Sequence, residues 1–142
     1  MKPLRLTALA LAAIASVAQA KPAGEERWRA ASTTAMAITG DIRLSPTRLI
    51  AAGQTIPVTV AADLPAYRSI TGVFPARVLK VTSPRRVKML RGNEFGCNAP
   101  VRWIVVYRQG ARNSLGMEVF EGPAMPRSSD DQGFCASYGY YR

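Results

Sequence analysis

Only two cysteines occur in the chain, Cys97 and Cys135, and the second lies in the final segment F-C-A-S-Y-G-Y-Y. In an exported protein an even number of cysteines normally forms disulfides. A redox motif would need C-x-x-C, and a zinc site would need four ligands, so neither reading fits this pair. The sequence therefore predicts one disulfide that ties a closing strand to the loop 92–97, where Gly92 and Gly96 permit a tight turn.

Export itself is predicted by residues 1–20, which combine a short basic start with a Leu- and Ala-rich run and end in Ala-Gln-Ala. This is the pattern of a signal peptide cleaved near Ala20, and the apolar run is too short for a membrane anchor. The mature protein is then periplasmic or secreted. Residues 21–27 are predicted to be a flexible leader, and residues 28–142 form one domain.

Short apolar stretches separated by Gly, Pro, Asn and Ser are typical of an all-β domain, and no part of the mature chain keeps a helical period. The pattern predicts a small antiparallel barrel or sandwich of about seven or eight strands, with a barrel favoured because closure removes exposed edges. A short helix near 64–70 is the alternative to a loop within 63–74. The predicted strand segments are 33–39, 42–44 with 47–50 as its continuation, 55–61, 77–82, 85–90, 101–108, 115–120 and 134–141.

The chain is strongly basic, with 19 Lys and Arg against 9 Asp and Glu. A basic exported protein attracts anionic surfaces, so the expected partners are an anionic envelope glycan or lipid, or an envelope protein, and not nucleic acid. Six cations fall within a short stretch and form either an anion-binding stripe or a set of solvated edge positions. They are Arg77, Lys80, Arg85, Arg86, Lys88 and Arg91.

Aromatic residues suggest a second kind of site. Tyr138 and Tyr140 share one face of the last predicted strand, while Cys135 and Tyr141 share the other. Together with Trp103 and Tyr107 from the middle of the chain, Tyr138 is a candidate lining residue of a ligand pocket. The alternative is that these side chains simply fill the core, with hydroxyls at its rim.

Several chemistries are excluded by composition. The chain has no histidine, which removes Ser-His-Asp and Cys-His hydrolysis and the usual histidine-ligated metal sites. Glu118 and Glu121 could be read as a glycosidase pair, but their spacing puts them on opposite faces of a strand, and we expect both to serve on a polar face. Without a P-loop or dinucleotide fingerprint, the sequence predicts a protein that is not an enzyme and has no cofactor or catalytic residue.

Four segments together resemble a group of uncharacterised exported proteins of Gram-negative bacteria. They are Trp28, S-T-T-A-M-A-I-T-G-D-I at 32–42, G-N-E-F-G-C at 92–97 with Trp103, and F-C-A-S-Y-G-Y at 134–140. The resemblance implies export but no activity and no site residues. Size, basicity and a late disulfide also make the chain loosely similar to small periplasmic β-barrel inhibitors of lysozymes or proteases.

These observations predict a non-catalytic binding protein that recognises an envelope component or inhibits a protein target. Two other functions stay open at this point. One is a structural envelope protein without a small ligand, and the other is a hydrolase that relies on carboxylates alone.

Overall fold

The computed structural model describes residues 24–110 and 113–142, and these residues form a closed barrel of eight antiparallel strands. Each strand pairs with the next along the chain, and the last pairs with the first through Ala30 and Tyr140. The all-β barrel with a single disulfide is confirmed. Its strands are β1 (Glu26–Ala30), β2 (Ile42–Ser45), β3 (Arg48–Ala51), β4 (Gln54–Arg68), β5 (Val73–Val81), β6 (Trp103–Arg108), β7 (Ser114–Phe120) and β8 (Phe134–Tyr141).

Strand β1 begins at Glu26, two residues before the predicted start of the domain at Trp28. The predicted signal peptide and residues 21–23 of the predicted leader lie outside the described residues. Among the described residues, no helix is both long and apolar enough to cross a membrane.

The predicted first strand, 33–39, is wrong: the segment contains the helix α1 (Thr33–Ile38). Ser32 caps it, because its Oγ accepts a hydrogen bond from the backbone N–H of Ala35 at 3.0 Å. Alanine and methionine favour a helix once such a cap is present, whereas the short T-T-A-M-A-I stretch fits a strand only by its apolar content. Gly40 and Asp41 lead from this helix into β2.

The segment 63–74, predicted as a loop or a helical turn, belongs mainly to a long hairpin formed by β4 and β5. Two register shifts, at 60–62 and 64–67, break the strict alternation that identifies a strand in sequence. Strand β3 pairs only with residues 54–57 of β4, so the β4–β5 hairpin extends well beyond the short β2–β3 hairpin. This difference in length leaves one end of the barrel asymmetric.

The predicted strand 85–90 is also wrong. Between β5 and β6 the chain is irregular and contains a single 3₁₀ turn, Leu90–Gly92. The alternation that suggested a strand is real, because Val87 and Met89 are buried while Arg86 and Lys88 are exposed. The buried side chains anchor the segment to the barrel without pairing its backbone in the sheet.

One end of the barrel is plugged. The main core lies inside the barrel, and side chains from α1 and from the irregular segment join it there: Ala35, Val87, Met89, Phe95 and Val101. The disulfide lies at the same end, with the Cα atoms of Cys97 and Cys135 5.0 Å apart, and confirms the predicted bridge between residues 38 positions apart. Gly96 takes the left-handed conformation that this loop needs, at φ 79°.

A second, smaller apolar cluster lies on the outer face of β5, β6 and β7, beneath the tip of the β4–β5 hairpin. Phe74 stacks on Tyr107 with ring centroids 5.5 Å apart, and Tyr107 in turn covers Gly116. A Cβ atom at position 116 would lie 2.3 Å from the tyrosine ring, so only glycine allows this contact. The cluster comprises Tyr67, Ala76, Val78, Trp103, Val105, Tyr107 and Phe120.

Candidate binding site at the open end of the barrel

The three aromatic residues predicted to line one pocket do not meet. Trp103 and Tyr107 belong to the outer cluster, whereas Tyr138 belongs to the main core inside the barrel. The Trp103 indole donates to the carbonyl of Gly122 at 3.1 Å, and all three side chains are at least 92% buried. All three side chains pack within these clusters, and Tyr107 also lies in the lining of the open-end cleft described below.

The predicted basic stripe is divided between different parts of the molecule. Arg86 and Lys88 both lie 3.6 Å from Glu94 in the irregular segment at the plugged end, where Arg85 and Arg91 are also exposed. Arg77 lies on β5 at the open end and forms an ion pair with Asp63. Lys80 lies over the ring of Trp103, 5.8 Å from its centroid. The six side chains therefore do not form one continuous surface.

The open end carries a cleft of about 840 Å³ between the short β2–β3 hairpin and the long β4–β5 hairpin. Sites for small organic molecules usually have volumes of roughly 300–1,000 Å³. Four aliphatic side chains of the main core line its inner part: Leu44, Leu79, Val106 and Leu115. Pro46, Leu64, Pro65 and Pro75 continue this apolar lining outward, so the cleft leads from solvent into the barrel core.

Charged residues occupy the rim of the cleft. Glu26 accepts hydrogen bonds from Arg108 at 2.8 and 3.1 Å and lies 2.9 Å from Arg142. Both guanidinium groups also lie over the ring of Trp28, at 5.2 and 4.4 Å from its centroid. Since the indole of Trp28 donates to the same carboxylate at 3.1 Å, one tryptophan and one glutamate hold both arginines in place.

Two rim carboxylates have lowered pKa values. Burial raises the pKa of Glu26, but hydrogen bonds and charge interactions with Arg142 and Arg108 outweigh that effect and hold its pKa below the usual value. Across the cleft, a bidentate contact with Arg77 at 2.8 and 3.2 Å lowers the pKa of Asp63. Neither group is therefore suited to act as a general acid near neutral pH.

The most unusual residue is Glu118, which the sequence placed on a polar face and which is instead fully buried. It lies on the outer face of β7, under the hairpin tip. One carboxylate oxygen accepts from the Tyr67 hydroxyl at 2.7 Å, and the other accepts from Tyr107 at 2.9 Å and from the backbone N–H of Ile70 at 3.2 Å. Burial and the contact with Glu118 raise the pKa of Tyr67, and burial raises that of Tyr107.

These hydrogen bonds hold the β4–β5 hairpin against the outer face of β7. The prediction that Glu118 lies on a polar face is wrong. The β4–β5 hairpin folds over β7 and buries this side chain, and the sequence pattern did not reveal that hairpin as a pair of strands. A signal was present in the sequence: Glu118 stands among apolar residues in L-G-M-E-V-F, two positions after Gly116. Glu121 is separate and accepts from the backbone N–H of Ala99 at 3.0 Å.

Glu118→Ala should lower the free energy of unfolding by about 3 kcal/mol, because it leaves two buried hydroxyls and one backbone N–H without their acceptor. Glu118→Gln, which keeps one carbonyl oxygen, should lose about half as much. Urea unfolding followed by circular dichroism measures both. The matched control is Glu94→Ala, which removes a carboxylate from a partly exposed ion pair and should cost about 0.5 kcal/mol or less. Equal losses for Glu118→Ala and Glu94→Ala would contradict the role given to Glu118.

Comparisons of the chain with protein-family models, with curated proteins and with solved structures give no match. The resemblance to exported Gram-negative proteins therefore stays a prediction, and the site has to be interpreted from its own geometry.

Proposed function

We propose that the protein is an exported, non-catalytic binding protein whose open barrel end takes up the apolar part of a small amphipathic component of the cell envelope. The observation that carries this proposal is the cleft, which has an aliphatic inner part and keeps its charges at the rim. Of the two binding modes considered from the sequence, ligand uptake is favoured over inhibition of a protein target because the barrel is open at one end.

The division between apolar interior and charged rim suits a ligand with two unlike ends. Each methylene group that leaves water for the interior contributes about 0.8 kcal/mol, so the apolar lining favours a ligand with an alkyl chain over one without. A fully polar ligand would lose its hydration against Leu79, Val106 and Leu115 without gaining hydrogen bonds there.

Several features support binding without catalysis. Glu118, the most sheltered carboxylate, has both oxygens engaged and no exposed surface, so it cannot reach a ligand. The carboxylates that do face the cleft, Glu26 and Asp63, are held ionised by arginines and cannot supply a proton efficiently. The absence of histidine removes the commonest general base.

Binding of the uncharged dye N-phenyl-1-naphthylamine tests the proposal, since its fluorescence increases in an apolar site. We expect saturable binding of one dye molecule per chain. Val106→Phe, which places a larger ring in the inner part of the cleft, should weaken the dye at least about tenfold, as steric exclusion from a well-packed site does. Val60→Phe makes the same change at an exposed position that does not line the cleft, and should leave affinity unchanged.

The proposal would be abandoned if the dye did not bind, or if the two phenylalanine variants bound it equally well. Thermal unfolding of both variants, followed by circular dichroism, shows whether any loss comes from misfolding.

A further inference from the structure

The polar side of the cleft has its own chemical preference, which rests on the function proposed above. Arg108 lies next to the apolar part in register, because it pairs with Leu115, as Arg77 pairs with Val106 on the opposite rim. The side chain of Arg108 is 47% exposed. A group bound at this arginine would therefore sit where an alkyl chain emerges from the inner part of the cleft.

Arg108 also has unused hydrogen-bonding capacity. Among the described residues, only its Nη2 atom forms hydrogen bonds, both to Glu26. The guanidinium group carries five N–H donors in a planar fork, so its Nε and Nη1 atoms are left for another acceptor. Arg77 on the opposite rim differs, because its Nε and Nη2 atoms already make a bidentate contact with Asp63.

The side-chain charges favour the same assignment. Glu26 is shared between Arg108 and Arg142, so this cluster has two cations for one anion. The Asp63–Arg77 pair across the cleft is balanced. Stacking over Trp28 holds the Arg108 guanidinium before any ligand arrives, and such preorganisation lowers the entropic cost of binding.

We propose that the ligand carries an anionic head group, a carboxylate or a phosphate monoester, and that Arg108 binds this group while the alkyl chain occupies the inner cleft. The free Nε–H and Nη1–H groups of Arg108 can donate charge-assisted hydrogen bonds to the oxygens of either oxyanion. Arg142 adds positive charge beside it, 4.4 Å from the Trp28 ring.

Four ligands with the same decyl chain test this proposal below their micelle concentrations: decanoate, decyl phosphate, decan-1-ol and decyltrimethylammonium. Isothermal titration calorimetry should show that one or both anions bind at least about tenfold more tightly than the alcohol, as charge-assisted hydrogen bonds to one arginine imply. The tighter of the two anions identifies the source of the head group as a fatty acid or as a lipid phosphate. The cation should bind no more tightly than the alcohol.

Variants of Arg108 connect the preference to this residue. Arg108→Gln should remove the difference between anion and alcohol and leave alcohol binding unchanged, and Arg108→Lys should keep part of it. Arg102→Gln removes the same charge from an exposed position at the plugged end and should change nothing. Quenching of tryptophan fluorescence gives a second readout, because Trp28 lies under Arg108.

Equal affinity for anion and alcohol, or an unchanged preference in Arg108→Gln, would overturn this inference and leave the proposed function standing. Failure of the neutral dye to bind would instead overturn the proposed function, whatever the decyl compounds do. Melting temperatures of the variants close to that of the unmodified protein exclude misfolding as the cause of either result.

Discussion

Unfolding of the protein should become steeply pH-dependent above about pH 10, with a loss of about 5 kcal/mol of unfolding free energy per pH unit. Four buried tyrosines cause this effect: Tyr67, Tyr107, Tyr138 and Tyr140. Burial raises the pKa of each of these side chains in the folded protein, and contact with Glu118 adds to the effect on Tyr67.

The direction of the change follows from proton binding in the two states. Below the ordinary tyrosine pKa of about 10, both states keep all four protons, and stability does not depend on these groups. Above it, the unfolded chain loses protons while the folded protein retains them. Each such tyrosine then destabilises the fold by about 1.4 kcal/mol per pH unit until its folded-state pKa is reached.

Urea unfolding between pH 8 and pH 11 measures this slope, and tyrosinate absorbance at 295 nm shows whether the four groups ionise together with unfolding. Tyr138→Phe provides a matched control, because the Tyr138 hydroxyl is buried without a hydrogen-bond partner among the described residues. The variant should be at least as stable at pH 8 and should lose about a quarter of the alkaline slope. A slope below that expected for one tyrosine would show that these side chains ionise in the folded state.

Removal of the disulfide in Cys97→Ala/Cys135→Ala should lower the unfolding free energy by about 4 kcal/mol, the chain-entropy value for a loop of 38 residues. Small domains have total stabilities of only about 5–15 kcal/mol, so this is a large fraction. The bridge joins the irregular segment to β8, and β8 closes the barrel by pairing with both β1 and β7. The loss should therefore destabilise the whole barrel and not only its last strand.

Urea unfolding with and without dithiothreitol provides the measurement and its control. The reductant should reproduce the loss in the unmodified protein and have no effect on the double variant. A difference below about 1 kcal/mol between oxidised and reduced protein would contradict a stabilising role. Local fraying of β8 alone would appear as an early, separate transition.

Sequence reasoning identified those parts of the fold in which local pattern and burial agree. Strand β6 is rich in β-branched and aromatic residues and is buried on both faces, and in β7 Leu115, Met117 and Val119 share the inner face as their alternate spacing requires. The disulfide followed from the number of cysteines and the expected compartment. Tyr138 and Tyr140 share the inner face of β8, as their parity predicted.

The remaining features depend on contacts between distant parts of the chain. Helix α1 rests on a cap at Ser32 and on packing of Ala35 against the barrel. Glu118 is buried because a hairpin 48 residues earlier supplies the Ile70 N–H donor. The cleft arises because the β4–β5 hairpin is longer than the β2–β3 hairpin. The bulges in the longer hairpin interrupt the alternating pattern by which a strand is recognised in sequence. Register, hairpin length and tertiary hydrogen bonds leave only weak traces in a single sequence.

The barrel is plugged at one end and filled by its main core, so the cleft at the open end is closed at its inner end. Under the proposed function, a ligand that enters this cleft with its alkyl chain first would leave by the same route, with its head group leading. A molecule that accepts the ligand would then meet the head group first, because the head group stays at the surface. Transfer would require the acceptor to bind the head group before the alkyl chain is withdrawn, and the two steps would therefore follow in that order.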